Sequence, residues 1–183
     1  MGRTNPTETM KVYQFEKTWS RFARAPRKAT REAFRELAAF AHHRAAPRAH
    51  AGSPYGFEMI VLSMLVGVVR RAEALEAQGI PLSVDAKTSV LAMMSVLRQR
   101  LWKQKGEVYT FARALLSEED ERASRALVVA THDRAALVPR DGSEPTDERI
   151  LTALVEIMQQ IRMLEKRHMK PKAIVTLEAW SRV

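Results

Sequence analysis

The chain has no cysteine among its 183 residues, so disulfides, thiolate metal sites and cysteine nucleophiles are excluded. That fits a reducing setting, and the cytoplasm is the expected compartment. Glycine and proline are scarce, at 7 and 8 residues, while 46% of the chain is hydrophobic. Such a composition excludes a disordered or low-complexity chain and predicts a globular one. No long hydrophobic run is present. The most apolar stretch, Met59 to Val69, ends at Arg70-Arg71 and is too short to span a bilayer, which predicts a buried central helix and no membrane partner. The opening MGRTNPTETMK lacks the apolar core of a secretory leader. A glycine-rich phosphate loop, a nucleophile elbow and a usable Ser/His/Asp spacing are all missing, and no cofactor is expected.

What is present, first, is an internal repeat. The stretch from Phe22 and the stretch from Phe111 share Phe-Ala-Arg-Ala, then Arg35/Arg125, His42/His132, Gly52/Gly142, Leu62/Leu151, Leu65/Leu154 and a closing Leu-Glu at 75–76 and 164–165, at a constant offset of 89 or 90. Self-similarity of this kind predicts two related units sharing one core. The expected architecture is an all-α helical bundle of six to seven helices built from two duplicated three-helix units. Its parts are an arm at 1–7, a basic first unit at 8–78, a linker at 79–85, a second unit at 86–169 and a tail at 170–183.

Helix signals place the elements. Thr7 followed by Glu8 reads as an N-cap, and Met10 to Arg24 carries Phe15, Trp19 and Phe22 along one helical face. From Pro26 to about Ala46 an apolar stripe of Phe34, Leu37, Ala38, Ala41 and Ala45 is flanked by Arg27, Lys28, Arg31 and Arg35. Residues Pro47 to Gly52 read as a loop, and Ser53-Pro54 as the start of a helix that stops at Gly79-Ile80-Pro81. A further helix is expected through Val90, Met93, Met94, Leu97 and Leu101. Ser117 heads an acidic first turn, and Thr146 caps a last helix striped by Ile150, Leu151, Leu154, Ile157, Met158, Ile161 and Leu164. The first copy of this helix is apolar nearly all round and should lie at the centre. The tail, through Trp180, reads as a docked irregular or helical segment.

Charge separates the copies. The formal net charge is +9. Residues 1–50 carry eleven Lys and Arg against four Asp and Glu, whereas 116–150 carry five against nine. A basic first unit attracts phosphate backbones, acidic proteins or anionic lipid heads. Equally, basic and acidic halves could pair within one molecule or across a homodimer. The candidate phosphate contacts are Arg3, Arg24, Arg27, Lys28, Arg31, Arg35, Arg44 and Arg48, with Arg3 in a short arm of the minor-groove-reading kind. No tight helix-turn-helix glycine turn is visible, so binding should be directed at the backbone of DNA or RNA.

Two side-chain groupings could carry chemistry. Arg35 and His42 are separated by six intervening residues, as are Arg125 and His132. This spacing resembles the Arg-x4–6-His motif of HEPN ribonucleases, which implies a histidine proton shuttle and an arginine against developing phosphorane charge. Those proteins usually follow the arginine with Asn, Asp or His, where this chain has Glu36 and Ala126. Border packing of the apolar stripe is the structural alternative. His42-His43 with His50 could suggest a metal site, but adjacent histidines diverge on a helix and neither of the pair has a carboxylate four residues away, so no metal site is expected.

The opening Met-Gly-Arg-Thr-Asn-Pro-Thr, the tryptophan helix after it, a helix of the form F-x-x-L-x-x-x-A, a proline-bearing loop and a helix ending in Leu-Glu resemble a family of short haloarchaeal proteins that begin MGRTNPT. The likeness is specific over residues 1–7 and diffuse over about 8–78, and it implies an archaeal two-unit relative with no inherited activity. Halophile proteins are usually acidic, whereas this chain has a sequence pI near 10.2. If the resemblance is close, that departure points to a nucleic-acid partner. The leading expectation is therefore a non-enzymatic helical protein that binds nucleic acid or a nucleoprotein assembly. A self-association module and a HEPN-like ribonuclease are the alternatives.

Overall fold

The chain enters its first helix at Thr7, whose Oγ1 accepts from the Met10 backbone N–H at 3.3 Å in the computed structural model. This satisfies one of the free donors of the first turn, while Glu8 complements the helix dipole there. The structure describes residues 7–51, 56–83, 110–115, 117–124 and 147–169, together with Thr88, Val90, Met93, Val96, Leu97 and Arg100. Among these the protein is all-α: α1 (Glu8–Thr18), α2 (Ser20–Ala23), α3 (Lys28–His43), α4 (Ala45–Ala51), α5 (Gly56–Ala77) and α6 (Asp147–Met169). The isolated described positions from 88 to 100 are helical, as are 110–113 and 118–124. The arm with Arg3, the Arg125 and His132 pair, the caps at Ser53 and Thr146, and the tail with Trp180 lie outside the described residues.

Two expected boundaries are corrected. The Met10 to Arg24 segment is not one helix, because the backbone turns at Trp19 and separates α1 from α2. The turn seats Trp19 against Phe57 at 6.2 Å between ring centroids and Phe22 against Phe34 at 5.7 Å. The segment from Pro47 is not a loop either. It belongs to α4, where Pro47 falls in the first turn, a position that tolerates a missing N–H.

The central helix is α5. Every residue from Met59 to Val68 is buried, as a helix that is apolar on all sides requires. Helix α3 packs against both α5 and α6, and α5 also touches α6. At the α3–α5 crossing a Cβ added to Gly67 would stand 2.4 Å from Phe40 ring carbons, so only glycine admits this approach. Helix α5 stops where the sequence signals it. Gly79 has φ +77°, Ile80 N–H donates to Leu75 O at 2.9 Å and Gly79 N–H to Glu76 O at 2.9 Å. This is a Schellman closure, with Ile80 and Leu75 both buried. Helix α6 is one-sided: Ile150, Leu151, Leu154, Val155, Ile157, Met158 and Ile161 face the core, whereas Glu148, Arg149, Glu156, Lys166 and Arg167 are exposed. Side chains from Val12 to Ile161, including Val90, Met93, Val96, Leu97 and Phe111, form one contiguous core. No helix among the described residues is long and apolar enough to cross a membrane.

Candidate functional site

The candidate phosphate-binding arginines divide into two groups that sequence treated alike. Arg44 and Arg48 are 5% and 1% exposed and cannot reach a surface ligand. Arg48 donates from Nη1 to Ala41 O at 2.6 Å and Ser63 Oγ at 3.0 Å, and from Nε to Glu8 Oε2 at 3.3 Å. Burial pulls its pKa below the ordinary arginine value, the Glu8 charge and hydrogen bond oppose that, and nearby Arg44 adds to the lowering. Arg44 donates to Asp120 Oδ1 at 2.6 Å and to Phe40 O at 3.0 Å. These two positions are corrected from phosphate contacts to internal fasteners: both continue the Phe34, Leu37, Ala41 stripe inward and tie α3 and α4 to their neighbours.

Part of the basic surplus is thus spent against acidic residues of the second half. Arg70 reaches Glu119 at 2.9 Å, Arg100 reaches Asp147 at 2.5 Å, and Arg21 reaches Glu148 at 2.9 Å. A further network joins α3, α5 and α6. Glu36 accepts from both Arg71 and Arg162, Arg162 also reaches Glu32 at 2.5 Å, and Arg71 reaches Glu165 at 2.5 and 2.7 Å.

The other group stays at the surface, around the α2–α3 corner. Arg24, Arg27, Lys28 and Arg35 are exposed, and Arg31 is half-buried. Arg31 Nη1 donates to Ala25 O at 2.7 Å and Pro26 O at 2.9 Å, which closes a corner that has no side-chain cap on α3. Lys28 sits 3.6 Å from Glu32, and Arg24 holds Ser20 Oγ at 3.4 Å. The side chains of Arg27 and Arg35 have no hydrogen-bond or ion-pair partner among the described residues, and neither does that of Lys17 on α1. From Lys17 to Arg35 the chain carries seven Lys and Arg against one Glu.

The sequence reading assigns Phe15, Trp19 and Phe22 to one face of this segment and gives no role to the opposite, surface face of α1. Met10 and Tyr13 are 52% and 61% exposed, with Lys17 one turn beyond. Their spacing, offset from the Phe15 and Trp19 row, was the available signal. Tyr13 lies 4.8 Å from the His42 ring, and His42 Nε2 is 3.1 Å from Glu16 Oε2. His42 is thereby bound into the α1–α3 contact, while Arg35, two turns earlier on α3, points to solvent. Of the histidine group, His43 is exposed, and the His50 side chain lies outside the described residues. Among the described residues no cluster of three His, Asp or Glu is placed to hold a metal ion.

A family model described as a domain of unknown function (DUF8156) matches residues 1–89, the part of the chain that holds α1 to α5 and the basic corner. There is no significant match to a curated protein or to a solved structure.

Proposed function

We propose that the chain is a non-enzymatic nucleic-acid-binding protein whose contact surface is the basic corner between α1, α2 and α3, acting in the cytoplasm and chiefly on the phosphate backbone. The observation that carries this reading is the retention of unneutralised cations there. Other arginines of the first half find carboxylates inside the molecule, yet Lys17, Arg27 and Arg35 face water with no described carboxylate against them. Keeping like charges together costs self-repulsion, and an anionic partner that displaces condensed counterions offsets that cost. Arg27 and Arg31 at the tight corner and Arg35 one turn on along α3 present guanidinium groups suited to phosphate oxygens.

The test is a gel shift against duplex DNA, single-stranded DNA and RNA over a range of salt. Affinity should fall linearly on a log–log plot, with a slope of about −0.7 to −0.9 per phosphate contacted. Absent binding at low ionic strength rejects the reading, as does binding that ignores salt. The ribonuclease alternative asks for a free His42, and the Glu16 and Tyr13 contacts support a structural role for that ring instead. The self-association alternative loses its motive to the extent that Glu119, Asp120 and Glu148 already meet arginines of the same chain.

A further inference from the structure

Helices α1 and α3 run in opposite directions across the surface. Glu8 of α1 meets Arg48 of α4, Glu16 of α1 meets His42 of α3, and Phe22 of α2 meets Phe34 of α3, so rising numbers along α1 and α2 face falling numbers along α4 and α3. From the Tyr13–His42 contact, Lys17 on one helix and Arg35 on the other therefore lie in the same direction, toward Arg24, Arg27, Lys28 and Arg31 at the corner. On α3, Lys28, Arg31, Arg35 and His42 follow intervals of three, four and seven, which keeps them near one face. The track from His42 to Lys28 is about 21 Å long by helical rise.

One end of this cationic track is aromatic and apolar. Tyr13 is 61% exposed, Met10 stands one turn away, and the Tyr13 ring meets at 4.8 Å, tilted by 55°, an imidazole that Glu16 holds. A large exposed aromatic ring fixed beside phosphate-binding cations is what unpaired bases use, because stacking needs a free π-face and tolerates any sequence. A duplex, with its bases already stacked, gains nothing from such a ring.

We infer that the α1–α3 surface is a single-strand-selective site, in which an unpaired base stacks on Tyr13 while the adjoining phosphates run past Lys17 and Arg35 toward the corner. This rests on the nucleic-acid reading above and specifies its ligand. The test is fluorescence anisotropy of the full chain with oligo-dT, oligo-rU and a mixed-sequence duplex of equal length, at one low salt concentration. Wild type should prefer both single strands over the duplex. Tyr13→Ala should weaken single-strand binding roughly ten-fold, Tyr13→Phe should retain it, and duplex affinity should move little in either variant. Thermal unfolding of Tyr13→Ala should match wild type, since the side chain is mostly in water. Unchanged single-strand affinity in Tyr13→Ala overturns the inference while leaving the nucleic-acid reading in place, as does an equal loss on strand and duplex. Failure of wild type to bind any of the three probes removes both.

Discussion

Arg48 and Glu8 are 40 positions apart and meet in the interior, where Arg48 Nε donates to Glu8 Oε2 at 3.3 Å. Glu8 keeps a second partner, Lys11, at 2.5 Å, but Arg48 has no comparable substitute for what it loses. Removing Arg48 leaves Ala41 O without its side-chain donor, takes a donor from Ser63 Oγ, and opens a large void between α3, α4 and α5. Arg48→Ala should therefore destabilise the fold by about 3 kcal/mol or more. Arg48→Met, which fills the space and strands no charge of its own, should cost less. Urea unfolding of the three proteins checks the order; equal stability of Arg48→Ala and wild type sinks it.

Gly67 gives a sharper steric expectation. Its missing Cβ leaves room for the Phe40 ring at a distance no side-chain carbon could share. Gly67→Ala should cost about 1–3 kcal/mol through overpacking, despite alanine's better helix propensity. Adding Phe40→Leu should recover part of the loss, because the two residues share one space and their effects cannot add. A midpoint for Gly67→Ala at or above wild type in urea would contradict the crossing geometry.

These two positions show what was and was not legible beforehand. The α class, the Thr7 cap, the Gly79 stop and the all-round burial of α5 are local or periodic signals, and they were readable from residue order alone. The fates of Arg44 and Arg48 were not read, although a clue was there: Phe34, Leu37, Ala41, Arg44 and Arg48 continue one helical spacing into the core. Arginine at a stripe position reads as surface until a buried carboxylate is found for it, and Glu8 and Asp120 are remote in sequence. Pro47 hid α4 in a similar way, since proline punctuates a helix interior but fits a first turn. The close approach at Gly67 depends on which neighbour crosses α5, and that is a tertiary fact.

The carboxylate of Glu36 accepts from Arg71 and Arg162 at once, joining α3 to α5 and α6. Burial pulls the Arg71 pKa down, but the hydrogen bonds and charges of Glu165 and Glu36 outweigh it and leave it raised. A raised pKa in a cation means the stabilisation is complete below the ordinary arginine value and lost only as pH climbs through the raised one. Arg71 should thus contribute no pH dependence across the neutral range. Glu36→Ala should cost about 1–2 kcal/mol, between the values for exposed and buried pairs, because these side chains are only partly shielded. A double-mutant cycle with Arg71→Ala should return a coupling of about 0.5 kcal/mol or more, and a zero coupling would mean the contact is energetically silent.

The last expectation separates arginines that look equivalent on paper. Arg27 and Arg35 are exposed and their side chains have no partner among the described residues, while Arg44 is buried on Asp120. If the corner binds phosphate, Arg27→Ala with Arg35→Ala should weaken nucleic-acid binding about equally across sequences and lower the salt slope by about 1.4–1.8, the share of two lost contacts. Their unfolding midpoint should stay near that of wild type, since exposed substitutions rarely move it by more than about 0.5 kcal/mol. Arg44→Ala should do the reverse. Among the described residues it leaves the Asp120 side chain with the longer 3.4 Å contact to Arg70, so stability should drop by about 3 kcal/mol while the salt slope of the folded fraction stays unchanged. Binding measured against salt, alongside urea unfolding of the same preparations, resolves the two effects. An unchanged slope in the Arg27 and Arg35 double variant would remove the corner from consideration as the phosphate contact.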